Sequence, residues 1–194
     1  MRIGVLGGTF DPVHVAHLVA AADARHALVL DRVLLVVANI PWQKAGRRDI
    51  TPAEDRYAMV AAAVEDIDGL EPSRLEIDRG GPSYTVDTLQ ELHAADRDAE
   101  LFLIVGGDVV RELSTWARAD ALPDLAQLVV VDRPGESWME PPARFRAHRL
   151  EIPALEISGT DIRRRVRAGF PIDFLVPPGA VRVIRERGLY ADPG

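Results

Sequence analysis

The sequence predicts an α/β protein built on a doubly wound parallel sheet. Three observations predict it. Short apolar runs of the kind that form fully buried strands recur along the chain: Arg2–Leu6, Arg32–Ala38, Leu101–Val105 and Leu128–Val131. Segments with helical character lie between them, which implies right-handed βαβ crossovers and parallel strands. Glycine pairs follow two of the runs, at Gly7-Gly8 and Gly106-Gly107. In such sheets ligands bind at the carboxyl ends of the strands, near a switch in strand order.

The first strand is Arg2-Ile-Gly-Val-Leu6. Gly7 and Gly8 carry no Cβ, so the backbone can turn sharply there and approach a ligand. Pro12 suits the first turn of a helix, and a helical pattern runs from Val13 to about Leu28. His14 and His17 are three apart and share one face near its N-terminus. Free N–H groups and the positive end of the helix dipole attract anions at that place. Arg32–Ala38 is the second strand, and Asn39–Gly46 is a loop. Thr51-Pro-Ala-Glu54 reads as a capped helix start, with Pro52 at the first helical position and the helix running to about Glu65. Ser73–Ile77 is expected as a third, shorter strand, Arg79–Ser83 as a turn-rich loop, and Tyr84–Ala94 as a helix. Leu101–Val105 is the fourth strand and Gly106-Gly107-Asp108 the turn that ends it. Ala119–Ala126 is a short helix, Leu128–Val131 the fifth strand, and Asp132–Pro142 a loop. His148–Ile152 is the sixth strand, Ile162–Ala168 a helix C-capped by Gly169, and Pro178–Arg187 the last helix. No repeat, low-complexity tract or linker divides the chain, so one domain over residues 1–194 is expected.

Composition bounds the function. A chain of 194 residues that is 47% hydrophobic can bury a substantial core. Its net charge of −7 argues against a nucleic-acid partner, because a phosphate backbone wants a basic surface. A small anionic ligand needs only a local basic pocket. The absence of cysteine excludes disulfides, thiol catalysis and thiolate metal sites. No apolar run reaches membrane-spanning length, and the N-terminus enters a strand directly with no signal peptide. A cytoplasmic protein without a membrane partner is expected, and a homo-oligomer is compatible with the sequence.

Gly7-Gly-Thr-Phe-Asp-Pro-Val-His-Val-Ala-His17 resembles the signature Gly-Gly-x-Phe-Asp-x-x-His-x-Gly-His of the nucleotidylyltransferase superfamily, with Ala16 in place of the usual glycine. Neither a Gly-x-Gly-x-x-Gly dinucleotide fingerprint nor the Gly-Lys-Ser/Thr of a P-loop is present at this turn. Ile157-Ser-Gly-Thr-Asp-Ile-Arg163 resembles the superfamily's C-terminal Ile-Ser-Ser-Thr-x-x-Arg, which binds the nucleotide triphosphate. Ser158 can N-cap the following helix, with Asp161 three residues on. Thr160 and Arg163 lie one turn apart and can face one ligand, and the planar fork of Arg163 suits phosphate oxygens. Gly159 replaces the usual second serine and removes one hydroxyl donor. Both departures are expected to be accommodated by small backbone shifts.

Further fragments, in order, resemble the bacterial nicotinate-mononucleotide adenylyltransferases. Pro41-Trp-Gln-Lys44 is similar to a loop whose lysine meets phosphate, with Gln43 where histidine is usual. Gly81-Pro-Ser-Tyr-Thr-Val-Asp-Thr88 resembles the segment that binds the pyridine carboxylate. Gly106-Gly-Asp108 resembles the segment that contacts the adenosine ribose, and Ser114-Thr-Trp116 the one whose tryptophan stacks on the pyridine ring. Arg133-Pro-Gly135 matches an Arg-Pro-Gly of that family, and Gly188-Leu-Tyr190 a common C-terminal ending.

The resemblance implies a Rossmann-like fold of the nucleotidylyltransferase type. It implies adenylyl transfer from ATP to nicotinate mononucleotide, giving deamido-NAD and pyrophosphate in NAD biosynthesis. His14 and His17 become the catalytic pair and also bind ATP, with Gly8, Thr9 and Phe10 beside them. Gly106, Asp108, Ser158, Thr160 and Arg163 complete the ATP site, and Lys44, Tyr84, Thr85, Trp116 and Arg133 hold the mononucleotide. The attacking group is a substrate phosphate, already ionised, so neither an enzyme nucleophile nor a general base is needed. Catalysis reduces to positioning and to neutralising charge. Mg²⁺ is expected to arrive with the pyrophosphate moiety, since the scattered aspartates form no metal signature. The alternatives are a nicotinamide-mononucleotide enzyme, a phosphopantetheine adenylyltransferase, which normally carries Thr at the position of His14, and an inactive nucleotide-binding homologue, which Ala16 and Gly159 would suit.

Overall fold

The computed structural model describes residues 1–41, 50–132 and 140–191. At its centre is a six-stranded, all-parallel sheet in the order β3-β2-β1-β4-β5-β6. The expected apolar runs form the inner strands β1 (Arg2–Gly8), β2 (Arg32–Val37), β4 (Glu100–Gly106) and β5 (Gln127–Asp132). Successive side chains on a strand point to opposite faces. Leu35 and Val37 therefore join one core cluster and Leu34 and Val36 the other. Covering both faces removes a long apolar strand wholly from water, at roughly 1.5–3 kcal/mol per large side chain.

Helices α1 (Val15–Ala27), α2 (Ala53–Val64), α6 (Gly159–Arg167) and α7 (Pro178–Glu186) supply residues to the first cluster. Helices α4 (Thr85–Ala95) and α5 (Leu122–Leu125), with a 3-10 segment at Gly107–Thr115, supply the second. The chain runs outward from β1 through β2 to β3, then returns to place β4 on the other side of β1. The strand order reverses between β1 and β4, and both glycine turns end strands at that point.

Several local expectations are corrected. The third strand is β3 (Leu70–Ser73), and Ser73–Ile77 does not continue it. Pro72 fits β3 because the strand lies at the sheet's edge, where a missing N–H is tolerated. The alternating Leu75 and Ile77 instead belong to α3 (Leu75–Arg79), a short helix that buries Glu76. Pro12 lies in the turn before α1, whose N-cap is His14. Pro52 is the N-cap of α2 and makes no side-chain cap bond. Thr51 gives its carbonyl to Arg56 Nε at 2.7 Å, and Glu54 pairs with Arg74 at 3.0 Å. Ala119–Ala126 divides into a 3-10 turn at Ala119–Ala121 and α5. The sixth strand, β6 (Ala147–Glu151), and α7 stand where expected. Helix α6 begins earlier than Ile162, directly after Ser158, and Gly169 past its end takes φ +69°.

Candidate active site

At the switch point the sheet opens into a cleft of about 770 Å³. That volume suits a small molecule. A Cβ on Gly7 would meet nothing within 4 Å, so the backbone there is open to a ligand. Phe10 folds back beneath the turn in a left-handed conformation (φ 49°), and a Cβ on Gly8 would strike its ring at 2.9 Å. The Phe10 ring meets His17 edge-on, with centroids 5.0 Å apart. His14 is buried and stacks on His17 at 3.7 Å between centroids. The N–H of His14 donates to His17 Nδ1 at 3.2 Å. A neutral His17 therefore carries its proton on Nε2 and can offer a donor from there.

Helix α6 closes the same end of the cleft. Ser158 caps it, accepting from the Asp161 N–H at 3.1 Å while its hydroxyl donates to Asp161 Oδ2 at 2.7 Å. Arg163 is buried, donating from Nη1 to the Asp11 carbonyl at 2.5 Å and from Nη2 to Thr160 Oγ1 at 3.2 Å. Gly159 faces the same carbonyl. A Cβ there would lie 2.8 Å from the Asp11 oxygen and 3.3 Å from Arg163 Nη1. The departure at residue 159 thus lets α6 lie directly against the phosphate turn. The other departure, Ala16, lines the cleft.

The far half is built from the β4 turn and the start of α4. A Cβ on Gly106 would meet Asp108 Oδ1 at 2.7 Å, and one on Gly107 would collide with the carboxylate of Asp132. Asp132 is buried and paired with Arg149 at 3.0 Å. Gly80 and Gly81 take φ +72° and +67°, turning the chain into α4. Ser83 Oγ accepts from the Asn39 N–H at 2.8 Å, pinning this loop to the end of β2. Tyr84, Thr85 and Trp116 line the cleft together with Glu76. Glu76 accepts from Thr88 Oγ1 at 2.6 Å, and Arg79 lies 3.9 Å away.

The cleft therefore gathers Gly8, Thr9, Phe10, His14, His17, Tyr84, Thr85, Gly106, Asp108, Trp116, Ser158, Thr160 and Arg163. Lys44 and Arg133 lie outside the described residues. Sequence reasoning assigned no site role to four supporting residues: Asp11 and Tyr190, quoted only within motifs, and Arg56 and Glu76. Arg56 is 1% exposed and bonds the carbonyls of Thr9, Asn39 and Thr51 at 2.7–3.0 Å. The Tyr190 hydroxyl donates to Asp11 Oδ1 at 2.8 Å. Burial, then the Asp11 charge, pushes that phenol well above its usual pKa. Among the described residues no cluster of three or more His, Cys, Asp or Glu could hold a metal ion. None of their helices is long and apolar enough to cross a membrane.

Fold and cleft together define a doubly wound α/β protein with a ligand cleft at its topological switch point. The chain belongs to the cytidylyltransferase-like family, whose model matches residues 5–165. It is similar to a Corynebacterium kroppenstedtii protein named a probable nicotinate-nucleotide adenylyltransferase, with 46% identity over 100% of this chain and 92% of the relative. An Acidothermus cellulolyticus relative with the same name is 47% identical over 97% of this chain and 94% of its own. Among solved structures, Plasmodium falciparum nicotinic acid mononucleotide adenylyltransferase complexed with NaAD superposes with a TM-score of 0.79, 17% identity and 97% coverage of each chain. At that identity the likeness is one of fold.

Proposed function

We propose that this chain transfers the adenylyl group of ATP to nicotinate mononucleotide, giving deamido-NAD and pyrophosphate. One observation carries the reading: Arg163 of the second signature rests on the Asp11 carbonyl of the first, so both line one end of a single cleft. Tyr84, Thr85 and Trp116 line the same cleft at the start of α4 and beyond β4, where a pyridine ring would lie. The relatives' names agree with this chemistry.

A phosphate oxygen of the mononucleotide attacks the α-phosphorus of ATP as the bond to pyrophosphate breaks. No proton need move, so the protein's task is alignment and charge stabilisation. The Nε2 donor of His17, together with His14, stabilises charge at the α-phosphate, while the Val15 and His17 N–H groups at the start of α1 are already bonded to the carbonyls of Leu175 and His14. Arg163 and Thr160 hold the leaving pyrophosphate. The cleft's donor set is mostly nitrogen and hydroxyl groups, and Asp11 is committed to Tyr190 and Arg163. That set fits magnesium entering on the triphosphate better than an ion held in a protein cage. When bound, the ion would neutralise charge on the phosphate oxygens. Homo-oligomerisation and a cytoplasmic location are consistent parts of the same reading.

Pyrophosphate release with ATP and each mononucleotide tests it. The Thr85 and Val86 N–H groups, in the first turn of α4, and the Thr85 hydroxyl favour a carboxylate over an amide. Each buried donor left facing an NH₂ costs about 1–3 kcal/mol, so two give roughly 10²–10⁴ in kcat/KM for nicotinate over nicotinamide. Thr85→Val should narrow that ratio, and Trp116→Ala should weaken both substrates alike. Equal values, or a preference for the amide, would assign the wrong pyridine. No release with any mononucleotide would leave a nucleotide-binding homologue.

A further inference from the structure

We propose that Tyr190 is a positioning residue for the triphosphate end of the cleft, acting through Asp11 on Arg163; this rests on the function proposed above. Tyr190 lies in the segment after α7, 179 residues from Asp11. Its backbone is left-handed at φ +66°, an unfavourable region for a bulky side chain, and Gly188 two residues earlier takes φ +59°. The phenol that this bend delivers is held on two sides. It donates to Asp11 Oδ1 at 2.8 Å and lies 3.7 Å from Met59 Sδ.

Asp11 has two relations with Arg163. Its carbonyl accepts from Nη1 at 2.5 Å, while carboxylate Oδ2 stands 3.9 Å from the same nitrogen. Tyr190 engages the carboxylate through Oδ1. Without the phenol hydroxyl, this buried carboxylate loses a donor, and the guanidinium is beside it. Closing the 3.9 Å gap would draw Arg163 from Thr160, now 3.2 Å away, and would offset its charge against Asp11 instead of a triphosphate. Tyr190 therefore keeps Arg163 available to ATP.

The test uses the full chain. ATP binding is measured by calorimetry, and KM for each substrate by pyrophosphate release. Tyr190→Phe should weaken ATP binding about tenfold, the scale of one hydrogen bond to a charged group. The KM for the mononucleotide should stay unchanged. In an Arg163→Ala background the same substitution should add less than about twofold, because its route is already cut. The proposal is overturned if both KM values move together, if the two substitutions multiply, or if Tyr190→Phe binds ATP like wild type. Should Tyr190→Phe unfold, Asp11→Asn alone decides. It weakens the pull on Arg163, so ATP affinity should hold or rise, and a tenfold loss overturns the idea. Wild-type turnover is measured alongside. If wild type releases no pyrophosphate, the proposed function fails, whereas calorimetry still reads Tyr190 by itself.

Discussion

The main-chain N–H of His14 and the Nδ1 of His17 are joined by a hydrogen bond of 3.2 Å. The helix that presents both rings thereby sets which nitrogen of His17 carries the proton. If Nε2–H acts on the pentavalent phosphate, its contribution belongs to the transition state. His17→Ala should lower kcat by roughly 10²–10³ with little change in the KM for ATP, as on removal of one preorganised donor. Steady-state kinetics on a variant of normal melting temperature checks this, and near-wild-type turnover would defeat the mechanism.

Gly159→Ser tests the departure that the structure explains. Its Cβ would come within 2.8 Å of a backbone oxygen, so α6 must move off the phosphate turn. Overpacking of this kind costs about 1–3 kcal/mol. We expect kcat/KM for ATP to fall about tenfold, equivalent to ~1.4 kcal/mol. Ala16→Gly, which only enlarges the cleft, should change it less. An increase on installing serine would mean that the lost hydroxyl matters more than the close approach.

Arg56 should be among the most stabilising side chains. Replacing it with methionine strands the buried carbonyl of Thr9 and the part-buried ones of Asn39 and Thr51. At about 1–3 kcal/mol for each unpaired group, the loss should reach ~3 kcal/mol or more. Urea unfolding of Arg56→Met reads it directly. A loss below about 1 kcal/mol would show that water takes the place of the guanidinium.

His148 gives the stability a pH dependence of definite sign. Burial first, then the charges of Arg146 and Arg2, lower its pKa from the usual 6.5. The unfolded chain therefore takes up this proton more readily than the folded one. The contribution is fully present above about pH 6.5 and is lost as pH falls toward the lowered folded-state value. Melting temperatures taken through that window should fall less steeply in His148→Gln than in wild type. Parallel curves would assign the acid sensitivity to other groups.

The inner strands were legible because burial on both faces demands unbroken apolar runs, as in Arg32–Val37. The edge was not. Leu70-Glu-Pro-Ser73 needs one buried residue and looks like a loop, while Leu75 and Ile77 imitate strand alternation. The ligand-facing residues were legible as motifs, since glycine turns and helix starts are local. Their supports were not: Tyr190 reaches Asp11 across 179 residues of chain, and nothing local marks Glu76 as the buried partner of Thr88. Arg56 did leave a signal: it shares the buried face of α2 with Met59, Val60 and Ala63, where a charge is out of place.

Asp11 meets Arg163 across 152 residues of chain and Tyr190 across 179. Chains emerge from the ribosome N-terminus first. The histidine turn is thus made early, and the groups that complete it are among the last to appear. A nascent chain bears half a nucleotide site and has no use for ATP until α6 and the bend at Tyr190 have cleared the exit tunnel. Ligand binding stabilises only the form that can bind. If ATP binds as proposed, it would stabilise only chains that carry α6 and the bend at Tyr190, and fragments that stop short of α6 would gain nothing from it.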